Sequence, residues 1–331
     1  MTKIVPMRKK SKAESVAAYQ RVYGDVERFI RMKLKWRGIH TLTYSLIANR
    51  LRGRALLDIG CGFGRFSFLA ARRAKHVVGL DMTERALSVA AVLREAIGAT
   101  NVDFVLSDIE GYDPGPRQFD CIVLGGVLEH VIDPAPIFKR IDQILTPKGL
   151  LVINSPSESN FRGDVSTVLL KLFDFPMSLS DVRQITPRYM QELAETWGYR
   201  LERIVGCKYS RAWGEMGAKD LKERIANVLE DVKEETKSLK IRKETFDRWV
   251  QERAEENRAF LGYLLRKKIL KPIPKRPLFR LNPRVIEAHG LPLPAIQEYL
   301  KPDYSQDAHY TDVPPFNLMG GQAIYLLKRA R

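Results

Sequence analysis

Cysteine is scarce in this chain. Cys61, Cys121 and Cys207 are the only three among 331 residues. They show neither zinc-ligand nor disulfide-framework spacing, so a reducing compartment and a cytoplasmic location are expected. Long apolar runs are missing too: none reaches the length of a signal-peptide core or a bilayer span, and neither is expected. No acid-rich cluster demands a metal, and none is assigned. Two local absences shape the second half. Residues 219 to 261 contain no glycine or proline, which favours helix, and no acid stands between Arg258 and Arg284. With 45% hydrophobic residues the chain can still bury a sizeable core.

What is present is concentrated first at residues 55–64, ALLDIGCGFG. An apolar strand runs into Asp58, and Gly60, Gly62 and Gly64 then make a turn tight enough for backbone to touch a ligand. Residues 65–74 have a helical pattern, and an apolar strand at 76–80 ends in Asp81. Strand, glycine turn, helix, strand and acid make a nucleotide-binding βαβ unit. Arg65 stands where the dinucleotide fingerprint would need its third glycine, and no G-K-[ST] ending supports a P-loop. Further strands are expected at 102–106, 119–126 and 149–154. Asp81 has two carboxylate oxygens to offer both hydroxyls of a ribose, and Met82 follows it, placed to pack on a purine face.

The D-x-G-x-G-x-G pattern resembles the glycine-rich motif of the class I S-adenosylmethionine-dependent methyltransferases. VLEHVIDP at 127–134 and L-x-P-x-G-x-L at 145–151 are most similar to the branch that includes ubiquinone-biosynthesis O-methyltransferases. The resemblance covers about 51–207 and 320–328. It implies an α/β, Rossmann-like seven-stranded methyltransferase sheet, mostly parallel with its last strand antiparallel and a helical insertion before that strand. It also implies that Asp58, Gly60, Cys61, Gly62 and Gly64 cradle the methionine half of S-adenosyl-L-methionine, with S-adenosyl-L-homocysteine as product. Asp81 and Met82 would take the ribose and adenine, Asp108 and Ile109 the adenine amino end, and Gly125 and Val127 the rest of the cofactor site. Replacing Asp81 with alanine is expected to weaken the cofactor and leave the fold intact.

The organisation expected is an N-terminal helical cap over 1–50, a cofactor-binding core over 51–209 and 318–331, and a mainly helical insertion over 210–317 that serves as lid or oligomerisation arm. Within the insertion a helical break is expected at 238–241, and the proline-rich basic stretch at 271–283 reads as a stiff connector. Thr186-Pro187 reads as a helix N-cap after a substrate lid.

Transfer from a sulfonium is an in-line displacement, with the protein positioning the nucleophile and removing its proton. His130, following the fourth strand, is the expected general base. Acceptor contacts are expected from Tyr19, Tyr23, Arg37, Glu129, His309 and Tyr310. The leading function is O-methylation of a small biosynthetic acceptor, anionic or hydrophobic. The net charge of +16 suits an anionic acceptor, a peripheral membrane contact or nucleic acid, and equally a solvated face. An RNA methyltransferase is therefore the alternative. Against it, this chain lacks the N/D-P-P-[YF] motif that amino-directed nucleic-acid enzymes place after strand four; Leu124-Gly125-Gly126-Val127 stands there instead. A non-catalytic assembly protein with a retained cofactor pocket is the third reading.

Overall fold

The computed structural model describes residues 16–17, 20–21, 23–34, 37–116, 118–157, 160, 163, 182, 185–209, 243–274, 279–301 and 309–330. Apolar runs become the central strands, buried on both sides, while the edge strand Val102–Leu106 is partly exposed. β1 (Ala55–Ile59), β2 (His76–Asp81), β3 (Val102–Leu106), β4 (Phe119–Gly125) and β5 (Leu145–Pro156) pair in parallel. β9 (Gln322–Arg329) runs antiparallel between β5 and β6 (Tyr199–Cys207). The sheet order is β3-β2-β1-β4-β5-β9-β6-β8-β7. It has nine strands rather than seven, because the insertion adds β7 (Lys271–Pro272) and β8 (His309–Thr311) beyond β6. These short strands take up backbone groups that the edge of β6 would otherwise expose.

Alternating side chains of each strand feed two cores. On one face lie α1 (Val26–Leu34), α2 (Arg37–Ile47), α3 (Arg65–Ala71) and α4 (Glu84–Ile97). On the other lie α5 (Ala135–Ile144) and α6 (Pro187–Thr196), with Ile141, Phe138 and Met190 fully buried. The Thr186 hydroxyl caps α6 by accepting from Tyr189 N at 2.9 Å, as its sequence suggests.

The described parts of the insertion pack on the core. α7 (Lys243–Arg266) spans 24 residues; the break expected at 238–241 lies outside the described residues. Its last turns pack Leu264 on Tyr209 and Leu270. Within the stretch read as a stiff connector, Ile273 is buried and Phe279 packs edge-on against Phe68; residues 275–278 lie outside the described residues. α8 (Pro283–Ala288) lies on α4 and α9 (Leu293–Leu300) on α1, so Ile286, Ile296 and Leu300 belong to the sheet's own core. Their apolar surface covers helical faces that would otherwise meet water. Among the described residues no helix is long and apolar enough to cross a membrane.

Candidate active site

β1 sits where the strand order reverses, with β2 and β3 on one side and β4 and β5 on the other. In such a sheet the crevice opens at the carboxyl ends of β1 and β4. There the backbone leaves β1 through Gly60 at φ 74° and enters α3 through Gly64 at φ 75°, a region that side chains rarely tolerate. A Cβ on Gly60 would lie 2.6 Å from Val127 Cγ2, and one on Gly64 would collide with the Phe104 ring. Leu80 O accepts from Gly60 N and Cys61 N at 2.8 and 2.9 Å.

Asp81 fastens the turn to β2. Its Oδ2 accepts from Gly62 N at 2.9 Å, while Oδ1 accepts from Thr83 N at 2.9 Å and from the Thr83 hydroxyl. The carboxylate is therefore part of the turn's own frame as well as a candidate ribose ligand. Its removal is therefore expected to cost stability as well as cofactor affinity. Beneath it, Asp58 accepts from Ser67 Oγ at 2.6 Å and is 3% exposed. Burial pushes its carboxyl from 3.8 up to about 7, opposed by the Ser67 hydrogen bond and reinforced by Asp81. Burial also pushes the Cys61 thiol well above its ordinary value, with Asp81 and Asp58 adding to the shift. The buried Cys61 side chain fills the turn as a small apolar group.

A family model described as a methyltransferase domain matches residues 51–199. The ubiquinone biosynthesis O-methyltransferase of Coxiella burnetii is 32% identical over 163 residues, covering 48% of this chain and 69% of that protein. The protein of the same name from Pseudomonas aeruginosa is 30% identical over 166 residues, 48% of this chain and 70% of its own. This chain belongs to the class I S-adenosylmethionine-dependent methyltransferases. A solved structure of a putative methyltransferase from Bacillus halodurans superposes with a TM-score of 0.49 at 16% identity, covering 88% of this chain and 98% of that one.

The cofactor of the methyltransferase is S-adenosylmethionine, and the crevice is built for it. The glycine cradle leaves no room for side chains against Val127 and Phe104. Beside it, Met82 and Leu106 at the ends of β2 and β3 are 38% and 56% exposed, apolar surfaces suited to a purine face. Of the other expected cofactor residues, Asp108 holds the next turn by accepting from Gly111 N at 2.6 Å, and Ile109 is buried in the core. Gly125 faces Asn154, and Val127 closes over Gly60.

The candidate acceptor residues do not all converge. His130 and Glu129 stand together on the short 3₁₀ turn Leu128–His130, immediately after β4. Tyr23 is buried between Phe29 and Phe63, at 4.4 and 5.5 Å between rings, and its hydroxyl lies 3.3 Å from the Cβ position of Gly62. It is thus a neighbour of the cofactor turn. His309 and Tyr310 are on β8, four strand positions from β4, which is about 19 Å across the sheet. They do not meet His130, because the insertion's strand pairs with β6 instead of folding over β4. Tyr19 and the side chain of Arg37 lie outside the described residues, as does most of the expected lid.

Sequence reasoning missed several residues of the site. Phe104 and Thr83 carry no motif. Arg65 served only to reject a dinucleotide fingerprint, yet it opens a helix in which Phe66, Ser67, Phe68, Leu69 and Ala70 are also buried. A charge in so apolar a segment was the available signal. Lys208 is likewise buried, with a left-handed φ of 66°, just past β6.

Proposed function

We propose that this methyltransferase methylates an oxygen of a small-molecule acceptor, with His130 as the general base. The observation that carries the reading is the position of His130. It sits on the turn that leaves β4 and touches the cofactor cradle through Val127. The turn is held by His130 N donating to Val127 O at 3.0 Å. Glu129 is 5% exposed and its carbonyl accepts from Val182 N at 2.9 Å, which ties the segment before α6 to the same turn. Oxygen as the target is supported by the two O-methyltransferases that match the core at 30% identity or better.

S-adenosylmethionine supplies the methyl group. The protein's part is to hold the acceptor oxygen in line with the departing sulfur and to take its proton. An imidazole within hydrogen-bond reach of the acceptor suits proton removal from a phenol or hydroxyl. Ile132, 41% exposed beside His130, offers such an acceptor an apolar surface. Transfer of labelled methyl from the cofactor to a cell extract, followed by mass spectrometry, identifies the product class. A labelled small phenol or alcohol is expected, and label found only in RNA would overturn the proposal. With the acceptor in hand, His130→Ala should lower turnover about a hundredfold or more and shift S-adenosylhomocysteine affinity little. Equal turnover at every pH would remove His130 from the chemistry.

A further inference from the structure

We infer that Arg65 is a positioning residue for the cofactor turn, and that through it the C-terminal end of α9 forms an outer wall of the methyl-donor site. Arg65 is the first residue after the glycine turn, and its side chain is 2% exposed. Nε donates to Tyr299 O at 2.8 Å and Nη2 to Lys301 O at 2.9 Å. These carbonyls end α9. The last carbonyls of a helix have no partner within it and form the negative end of its dipole, so a buried guanidinium fork is matched to them in charge and geometry.

A second contact runs beside the first. The Tyr299 ring meets Phe63, the residue before Gly64, edge-on at 6.1 Å, and Phe63 packs on Phe29 at 4.4 Å. Gly62 to Arg65 are therefore gripped from two sides. Asp81 holds Gly62 N from the β2 side, while α9 holds Phe63 and Arg65 from the helical side. Gly60 and Gly64, both in the left-handed region, give the turn little stiffness of its own, so its shape depends on these outside contacts. The residues from 283 to 300 belong by sequence to the insertion, outside the stretch that matches the family model. By contact they support the most family-specific piece of backbone in the chain. The inference rests on the cofactor assignment and not on the choice of acceptor or on His130.

The test uses the full-length chain. Calorimetry measures S-adenosylhomocysteine affinity of wild type, Arg65→Gln and Arg65→Lys, and amide exchange follows residues 293–301 with and without that ligand. Arg65→Gln is expected to bind about tenfold more weakly or worse, and Arg65→Lys, which keeps one charged donor, to recover part of the loss. Ligand should slow exchange across 293–301 in wild type, and this protection should vanish in Arg65→Gln. Tyr299→Leu, which leaves the backbone carbonyl in place, should show a smaller loss of affinity. If Arg65→Gln does not fold, wild-type exchange and Tyr299→Leu still decide: ligand-independent exchange at 293–301 together with unchanged Tyr299→Leu affinity overturns the inference. Unchanged affinity in a folded Arg65→Gln, with only a lower melting temperature, also overturns it. Failure of wild type to bind S-adenosylhomocysteine would instead strike the cofactor assignment.

Discussion

Replacing Asp58 with asparagine should stabilise the protein, and more so as pH rises. The carboxyl is buried with the Ser67 hydroxyl and backbone donating to it, and burial outweighs both and pushes it from 3.8 up to about 7. Between these two values the folded chain holds a proton that the unfolded chain has released. Stability then falls as pH rises through that interval and levels off above the folded value. At about 1.36 kcal/mol per unit, the full cost above pH 7 is about 4 kcal/mol, and the part incurred between pH 5 and pH 8 is about 2 to 3 kcal/mol. Asparagine cannot ionise, has nearly the same shape, and keeps an oxygen for the Ser67 hydroxyl. Asp81 and Cys61 both couple to the Asp58 charge, and the variant removes that coupling together with the burial cost. Reversible urea unfolding of wild type and Asp58→Asn at several pH values reads the difference directly. The variant should gain about 2 to 3 kcal/mol on wild type from pH 5 to pH 8. A flat difference, or one that moves in favour of wild type, would refute the reasoning and mean that Asp58 is ionised in the fold.

Two more outcomes follow from the geometry. Asp81→Ala removes an acceptor from Gly62 N, Thr83 N and the Thr83 hydroxyl, and hydrogen bonds to a charged group are worth about 1.5 to 3 kcal/mol each. Melting temperature and S-adenosylhomocysteine affinity should therefore fall together, the latter about a hundredfold; loss of affinity at an unchanged melting temperature would limit Asp81 to ligand contact. At the end of α7, Tyr263 and Leu265 are 42% and 41% exposed beside exposed Arg266, Lys267 and Lys268. Lys271 is excluded from the change because its Nζ lies 3.2 Å from Asp312. Replacing Arg266, Lys267 and Lys268 with glutamine should reduce pelleting with phosphatidylglycerol vesicles about tenfold or more, since each base near an anionic surface is worth about 1 kcal/mol. Equal pelleting of wild type and variant would leave these bases as a solvated face.

The glycine turn, the strands around it and the acid that ends β2 were legible in the sequence, because each is a local requirement. A backbone at φ 74° or 75° asks for glycine at Gly60 and Gly64, a strand buried on both faces asks for an unbroken apolar run, and the Thr186-Pro187 cap is written in adjacent residues. Local requirements alone therefore specified a nucleotide-binding βαβ unit, and the D-x-G-x-G-x-G resemblance turned it into a methyltransferase core with its framing acids and glycines. Tertiary structure decided what presses on that crevice from outside. The partners of Arg65 are the carbonyls of Tyr299 and Lys301, separated from it by more than 230 positions, and a backbone acceptor leaves no mark in the residues that provide it. The same holds for Asp81, whose bond to Gly62 N became visible only when β1 and β2 were paired. It holds again for β8, whose three residues take their place from the unfilled edge of β6 and so carry His309 and Tyr310 away from β4. Local conformation is encoded in residue type, but the docking of distant backbone is set by which apolar faces and unpaired groups remain when the sheet has formed.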